Sequence, residues 1–242
     1  MREIEVDNIE DYLKLIKESK EENIKNGNFE DFLFRGQRAD HPLIPKLCRL
    51  KARGDLLPVE QLLLQEFKRT NPLLIEGQRP MDDWDYLTLG QHFGLPTRLL
   101  DWSNNALTAL WFATGEPGTE EKREQPFSIV WILMAHQKDF DLNIEQLSPF
   151  DVPETKIFRP RIIKQRINNQ SGVFSIPSSK EILEKRYMNQ SDSYDEKLIK
   201  VKIPAEKLSD IRTDLNTVGV NAFTIFPELE GLCTYLQWRY FE

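Results

Sequence analysis

The chain has 242 residues, 40% of them hydrophobic and 29% charged, with 14 Phe and 5 Trp, enough to bury a core without staples. Its formal charge of −7 argues against a broad, non-specific nucleic-acid surface, which needs a basic excess, though a local basic cleft stays open. Cys48 and Cys233 stand far apart with no Cys-x-x-Cys pair, so neither a disulfide scaffold nor a zinc site is signalled.

The first residues are acidic and amphipathic, without the apolar core of a signal peptide. No run approaches the roughly 18 apolar residues of a membrane span, so no membrane contact and a cytoplasmic location are expected. Asp7-Asn8 caps an expected helix that places Ile9, Tyr12, Leu13, Leu15 and Ile16 on one broad stripe. "FLFRG", from Phe32 to Gly36, reads as a buried strand stopped by glycine. "DHPLIPKLCRL" reads as an extended loop leading into a helix, and Val59 to Thr70 carries helical spacing that Asn71-Pro72 breaks. A further helix starts at Asp82-Asp83 and ends near Gly94-Leu95-Pro96. "TRLLDW" is short and extended, and Asn104 or Asn105 caps the helix "ALTALWFAT", closed by Gly115.

"GEPGTEEKREQ" reads as a solvated surface loop, and "FSIVWILMA" as a central strand, since its apolar run is continuous. From Asp139 to Arg161 no clean period emerges. "GVFSI" reads as a strand, "SSKEILEKRYM" as a helix capped by Ser178 or Ser179, and "KLIKVKI" as a half-exposed strand. A helix closed by Gly219 follows; the tail "TIFPELEGLCTYLQWRYFE" begins as a strand, and Pro227 opens a terminal helix. The expected fold is α+β: a central, mostly antiparallel sheet flanked by helices over residues 31–242, preceded by an N-terminal helical lead over residues 1–30.

Chemistry gathers in two places. In Phe34-Arg35-Gly36-Gln37 a guanidinium leaves the end of a strand beside a glycine, suited to clamping phosphate or carboxylate, or to pairing with a structural acid. Between Leu87 and Ala113, Gln91, His92, Thr97, Arg98 and Asp101 crowd around one Gly-Leu-Pro turn. Each has a plain role as cap or brace, and Asp101 could hold Arg98, His92 or Arg35, or cap the next helix; five together point to a site. Arg159, Arg161, Lys164 and Arg166 form a local basic cluster, either a solvated face or a steering patch for an anionic ligand, with Lys46 and Arg49 as further supply. No phosphate-loop, dinucleotide-fold or zincin motif occurs, and no Ser or Cys stands in a nucleophile elbow beside His92.

"FRGQ", "IPKLCRL", "QHFGLPTRLLDWSNNALTALWFA", "RINNQSGVFSI" and "TIFPELEGL", in that order, resemble the FRG domain family, named for its Phe-Arg-Gly motif. That resemblance fixes no activity. A more distant resemblance, to ADP-ribosyltransferases, implies one. NAD would be the substrate and no metal would be needed. Arg35, Gly36, Gln37, Thr97, Arg98 and Gln170 would bind the nucleotide, and His92 with Glu228 or Glu230 would serve catalysis. A macromolecular acceptor, protein or nucleic acid, and a bacterial toxin or phage-defence setting are part of the same implication. The chain departs from that pattern in having Pro96-Thr97-Arg98 where a Ser-Thr-Ser triplet belongs. Glu228 and Glu230 also fall where helix-dipole acids belong. The alternative expectation is a non-catalytic module that binds a phosphorylated or nucleotide ligand.

Overall fold

The computed structural model describes residues 1–25, 31–70, 80–115, 126–141, 143–161 and 172–241. Its strands are β1 (Arg2–Glu5), β2 (Asp31–Gln37), β3 (Leu100–Ser103), β4 (Phe127–Ala135), β5 (Lys156–Phe158), β6 (Gly172–Ile176) and β7 (Leu198–Pro204). They form one sheet in the order β1-β7-β4-β2-β3-β6-β5. Only β1 against β7 is parallel; every other pair is antiparallel, as the α+β expectation requires. The helices among the described residues are α1 (Ile9–Lys25), α2 (Lys46–Arg49), α3 (Leu56–Thr70), α4 (Asp83–His92) and α5 (Ala106–Thr114). There follow α6 (Ser179–Glu184), α7 (Asp192–Asp195), α8 (Leu208–Thr217), α9 (Ala222–Ile225) and α10 (Leu229–Phe241).

The apolar run of β4 is explained by its place between β2 and β7, covered on both faces. Val130 and Ile132 face a core built with Tyr12 and Ile16 of α1, Leu110 and Trp111 of α5, and Ile211 and Leu215 of α8. Ile129, Trp131 and Leu133 point the other way, toward Leu43, Met188 and Tyr194. A third cluster joins Leu64 of α3 and Trp84 and Leu87 of α4 to Phe158, Phe174 and Ile176 on β5 and β6. Sheet alternation thus puts α5 over β2 and α4 over β6, with β3 between them.

Most caps fall where the residue types put them: Asp82 begins α4 in a capping box, Asn105 caps α5, and Ser178 caps α6. Several elements differ from the sequence reading: β2 runs through Gly36 to Gln37, and α6 stops at Glu184, where Lys185 turns left-handed. Helix α3 begins at Leu56, so Pro58 lies in its first turn, where its missing N–H costs nothing. β7 is buried rather than half-exposed because β1, which the pattern did not reveal, pairs along it; Lys200 keeps its charge inside by pairing with Glu3 and Asp40. Residues Ala222–Ile225 are the short helix α9 and not a strand, since Asn221 caps them and buries Ala222 and Ile225 against α5 and α8. Local β-propensity lost to a tertiary contact. The expected surface loop over 116–125 and the break at Asn71-Pro72 lie outside the described residues.

Candidate functional site

The site begins with a glycine. A Cβ on Gly36 would lie 1.9 Å from the Ala109 carbonyl oxygen and 2.6 Å from the Ala113 nitrogen, so glycine is what lets α5 rest on the end of β2. β2 and β3 share a single register pair, Phe34 with Ser103. Beyond it the connection passes to a side chain: Arg35 Nη1 donates to the Asp101 carbonyl at 2.9 Å and sits 3.7 Å from the Asp101 carboxylate.

A cavity of about 330 Å³ opens over β3, between α4 and α5, within the range of small-molecule sites (about 300–1,000 Å³). Helix α4 presents Thr88, Gln91 and His92 to it, positions i, i+3 and i+4 of one face. Asp101 and Ser103 come from β3, Arg35 and Gly36 from β2, and the rings of Phe34, Phe112, Phe174 and Phe226 supply apolar wall.

A chain of hydrogen bonds sets the polar wall. Thr97 Oγ1 accepts from the Leu99 backbone N–H at 3.1 Å and donates to Gln91 Oε1 at 2.6 Å. That fixes the Gln91 amide, whose Nε2 donates to Asp101 Oδ2 at 2.8 Å. Burial holds the Arg35 guanidinium below its ordinary pKa and Arg49 adds to the effect, while Asp101 acts in the opposite sense. The guanidinium stays charged, and its Nε is sealed from solvent without a hydrogen-bond partner.

Of the residues expected at a nucleotide site, Arg35, Gly36 and His92 line this cavity. Thr97 is fully buried behind it, acting through Gln91. Arg98 is elsewhere: also fully buried, it forms a two-pronged pair with Glu60 of α3, donates to the Pro149 carbonyl and to Ser179, and lies over the Phe150 ring. Gln37 accepts from the Trp131 indole at 2.9 Å, away from the cavity. Glu228 and Glu230 are exposed, and neither lines it; their neighbour Phe226 does. Gln170, Lys164 and Arg166 lie outside the described residues. Arg159 pairs with Asp31, and Arg161 with Asp82, Asp85 and Glu145.

Thr88, Ser103, Thr108 and the phenylalanine wall were not singled out from sequence as site residues. Thr88 stands one helical turn before His92, and Ser103 lies two residues before Asn105, the cap of α5, so both signals were local and available. Phe226, more than a hundred residues beyond α5, was not. Among the described residues no cluster of His, Cys, Asp and Glu could hold a metal ion, and no helix is long and apolar enough to cross a membrane.

The family model of the FRG domain matches residues 30–122. Over that span the chain is similar to the FRG domain. The matched span holds β2, β3, α4 and α5, and with them Arg35, Gly36, Thr88, Gln91, His92 and Asp101. Gly172, Phe174 and Phe226 complete the cavity from beyond the matched FRG span. No curated protein and no solved structure matches the chain.

Proposed function

We infer that the cavity binds NAD and that the protein transfers ADP-ribose to a macromolecular acceptor, protein or nucleic acid. One observation carries the reading: a charged arginine and a carboxylate share a cavity walled by four phenylalanine rings, at the join of Arg35-Gly36, β3 and α5. In this reading Arg35 holds the diphosphate, and the rings hold the nicotinamide. The bond between ribose C1′ and the nicotinamide nitrogen breaks with its electron pair leaving on nicotinamide. Asp101, oriented by Gln91, stabilises the positive charge that develops on the ribose. The acceptor nucleophile then attacks C1′ and gives up its proton, which in this reading passes to His92, a residue of the cavity lining.

Incubating pure protein with NAD, with and without cell lysate, tests this by release of free nicotinamide. Arg35→Ala and Asp101→Asn should each abolish it. Failure of the native chain to release nicotinamide under either condition overturns the reading.

A second reading has an observation in its favour. The Asp101 carboxylate is already engaged by Gln91 and lies close to Arg35, an arrangement that suits recognition of a phosphorylated or nucleotide ligand without turnover. Calorimetry would then show Arg35-dependent binding of NAD or another nucleotide while no product forms.

A further inference from the structure

Helical threonines usually return their hydroxyl to the carbonyl four residues earlier. Thr70, Thr213 and Thr217 do so here, at 2.7, 3.1 and 3.1 Å. Thr88, in the middle of α4, does not: its side chain is 1% exposed, and its Oγ1 is sealed from solvent with no hydrogen-bond partner. An unpaired buried hydroxyl costs stability, and a valine of the same shape would not carry that cost. Arg35, which lines the same cavity, has a second unpaired polar atom, its buried Nε. Two orphaned polar atoms on residues of one cavity describe a site whose ligand supplies the missing partners.

The three groups define that ligand's chemistry. The Arg35 guanidinium can only donate, so it needs an acceptor oxygen. The Asp101 carboxylate can only accept, so it favours an N–H and repels a second carboxylate. Thr88 can do either. The phenylalanine rings around them favour a flat aromatic body.

We propose that Thr88 is the specificity-determining residue of this cavity, and that with Arg35 it reads an uncharged carboxamide carried on an aromatic ring. The inference deepens the NAD reading by using the same cavity, but it requires binding alone and no transfer. Threonine in a helix has two accessible χ1 wells, so the hydroxyl can turn from its sealed position toward a bound amide without moving α4.

The test uses the whole chain and three small probes: nicotinamide, benzamide and benzoate. Calorimetry on the native protein should show both amides binding more tightly than benzoate. Thr88→Val should weaken both amides roughly tenfold, leave benzoate unchanged, and keep or raise the melting temperature. Thr88→Ser should restore amide binding. The proposal is overturned if neither amide binds the native protein, if Thr88→Val binds them equally well, or if Thr88→Val lowers the melting temperature by several degrees, which would make the hydroxyl structural. Thr88-dependent amide binding without nicotinamide release from NAD would support the proposal and remove the transferase reading. NAD turnover with the same KM in Thr88→Val would do the reverse.

Discussion

Thr97 and Gln91 are joined by a 2.6 Å hydrogen bond in which a fully buried hydroxyl dictates the orientation of an amide on the cavity wall. The threonine touches no part of the cavity, yet it determines which end of Gln91 faces Asp101. Thr97→Val leaves the Leu99 N–H buried without its partner and frees the Gln91 amide to flip. The expected loss of stability is about 1–3 kcal/mol by urea denaturation. Thr97→Ser, which keeps the hydroxyl, should recover most of it. Ligand affinity should fall in Thr97→Val and return in Thr97→Ser, which a purely structural defect elsewhere would not do.

Arg98 and Glu60 test the opposite case, a charged pair that belongs to the scaffold. Both side chains are almost wholly buried, so removing one strands the other's charge. Arg98→Ala or Glu60→Ala should cost about 3–5 kcal/mol in denaturant unfolding. The double change Arg98→Met with Glu60→Leu should be far less harmful, because no charge is left unpaired. Equal losses in the single and double variants would show that the packing over Phe150, and not the charge, is what matters.

Gly36→Ala probes the seating of α5 on β2. The added methyl meets the backbone of Ala109 and Ala113, which no rotamer can relieve, so α5 must shift. A destabilisation of about 3 kcal/mol or more is expected. Where the variant still folds, ligand binding should be lost along with it, because α5 carries Thr108 and Phe112 into the cavity.

Alkaline pH should weaken the fold in a defined window. Burial first, then the nearby Glu60 carboxylate, pushes the Cys48 thiol from 9.0 up to about 11. Burial also raises Tyr12 and Tyr194 above their ordinary value of 10.0. Unfolded chains release these protons first, so stability is intact below pH 9 and falls as pH climbs through the folded values. Melting temperatures measured from pH 8 to 11 should decline above 9, and Cys48→Ser should push the onset of the decline toward 10. A flat profile across that window would contradict the assignment.

Cys48 and Cys233 should also separate chemically. At pH 8 the raised thiol holds little thiolate, so Cys48 should react slowly with iodoacetamide, whereas Cys233 is exposed on α10. Peptide mapping after brief labelling should find Cys233 modified well before Cys48.

Local sequence determined much of this protein. The continuous apolar run of β4, the caps Asp82, Asn105 and Ser178, the close of α8 at Gly219, and the helix–turn–strand–helix order around Gly94 all follow from residue types acting on neighbours a few positions away. Arg35, Gly36 and His92 were legible as candidates for the same reason: each interrupts an apolar element with a group that needs a partner. What distance in sequence hid, only tertiary structure decided. Arg98 and Thr97 are adjacent and both polar, but the bend at Arg98 sends one to Glu60 of α3 and the other to Gln91 behind the cavity. β1 escaped notice because four residues reading Arg-Glu-Ile-Glu become a strand only when β7 offers its edge. Phe226 and Thr88 meet at one cavity because the chain folds back to close it. That closure depends on non-local packing, which no short-range pattern in the sequence encodes.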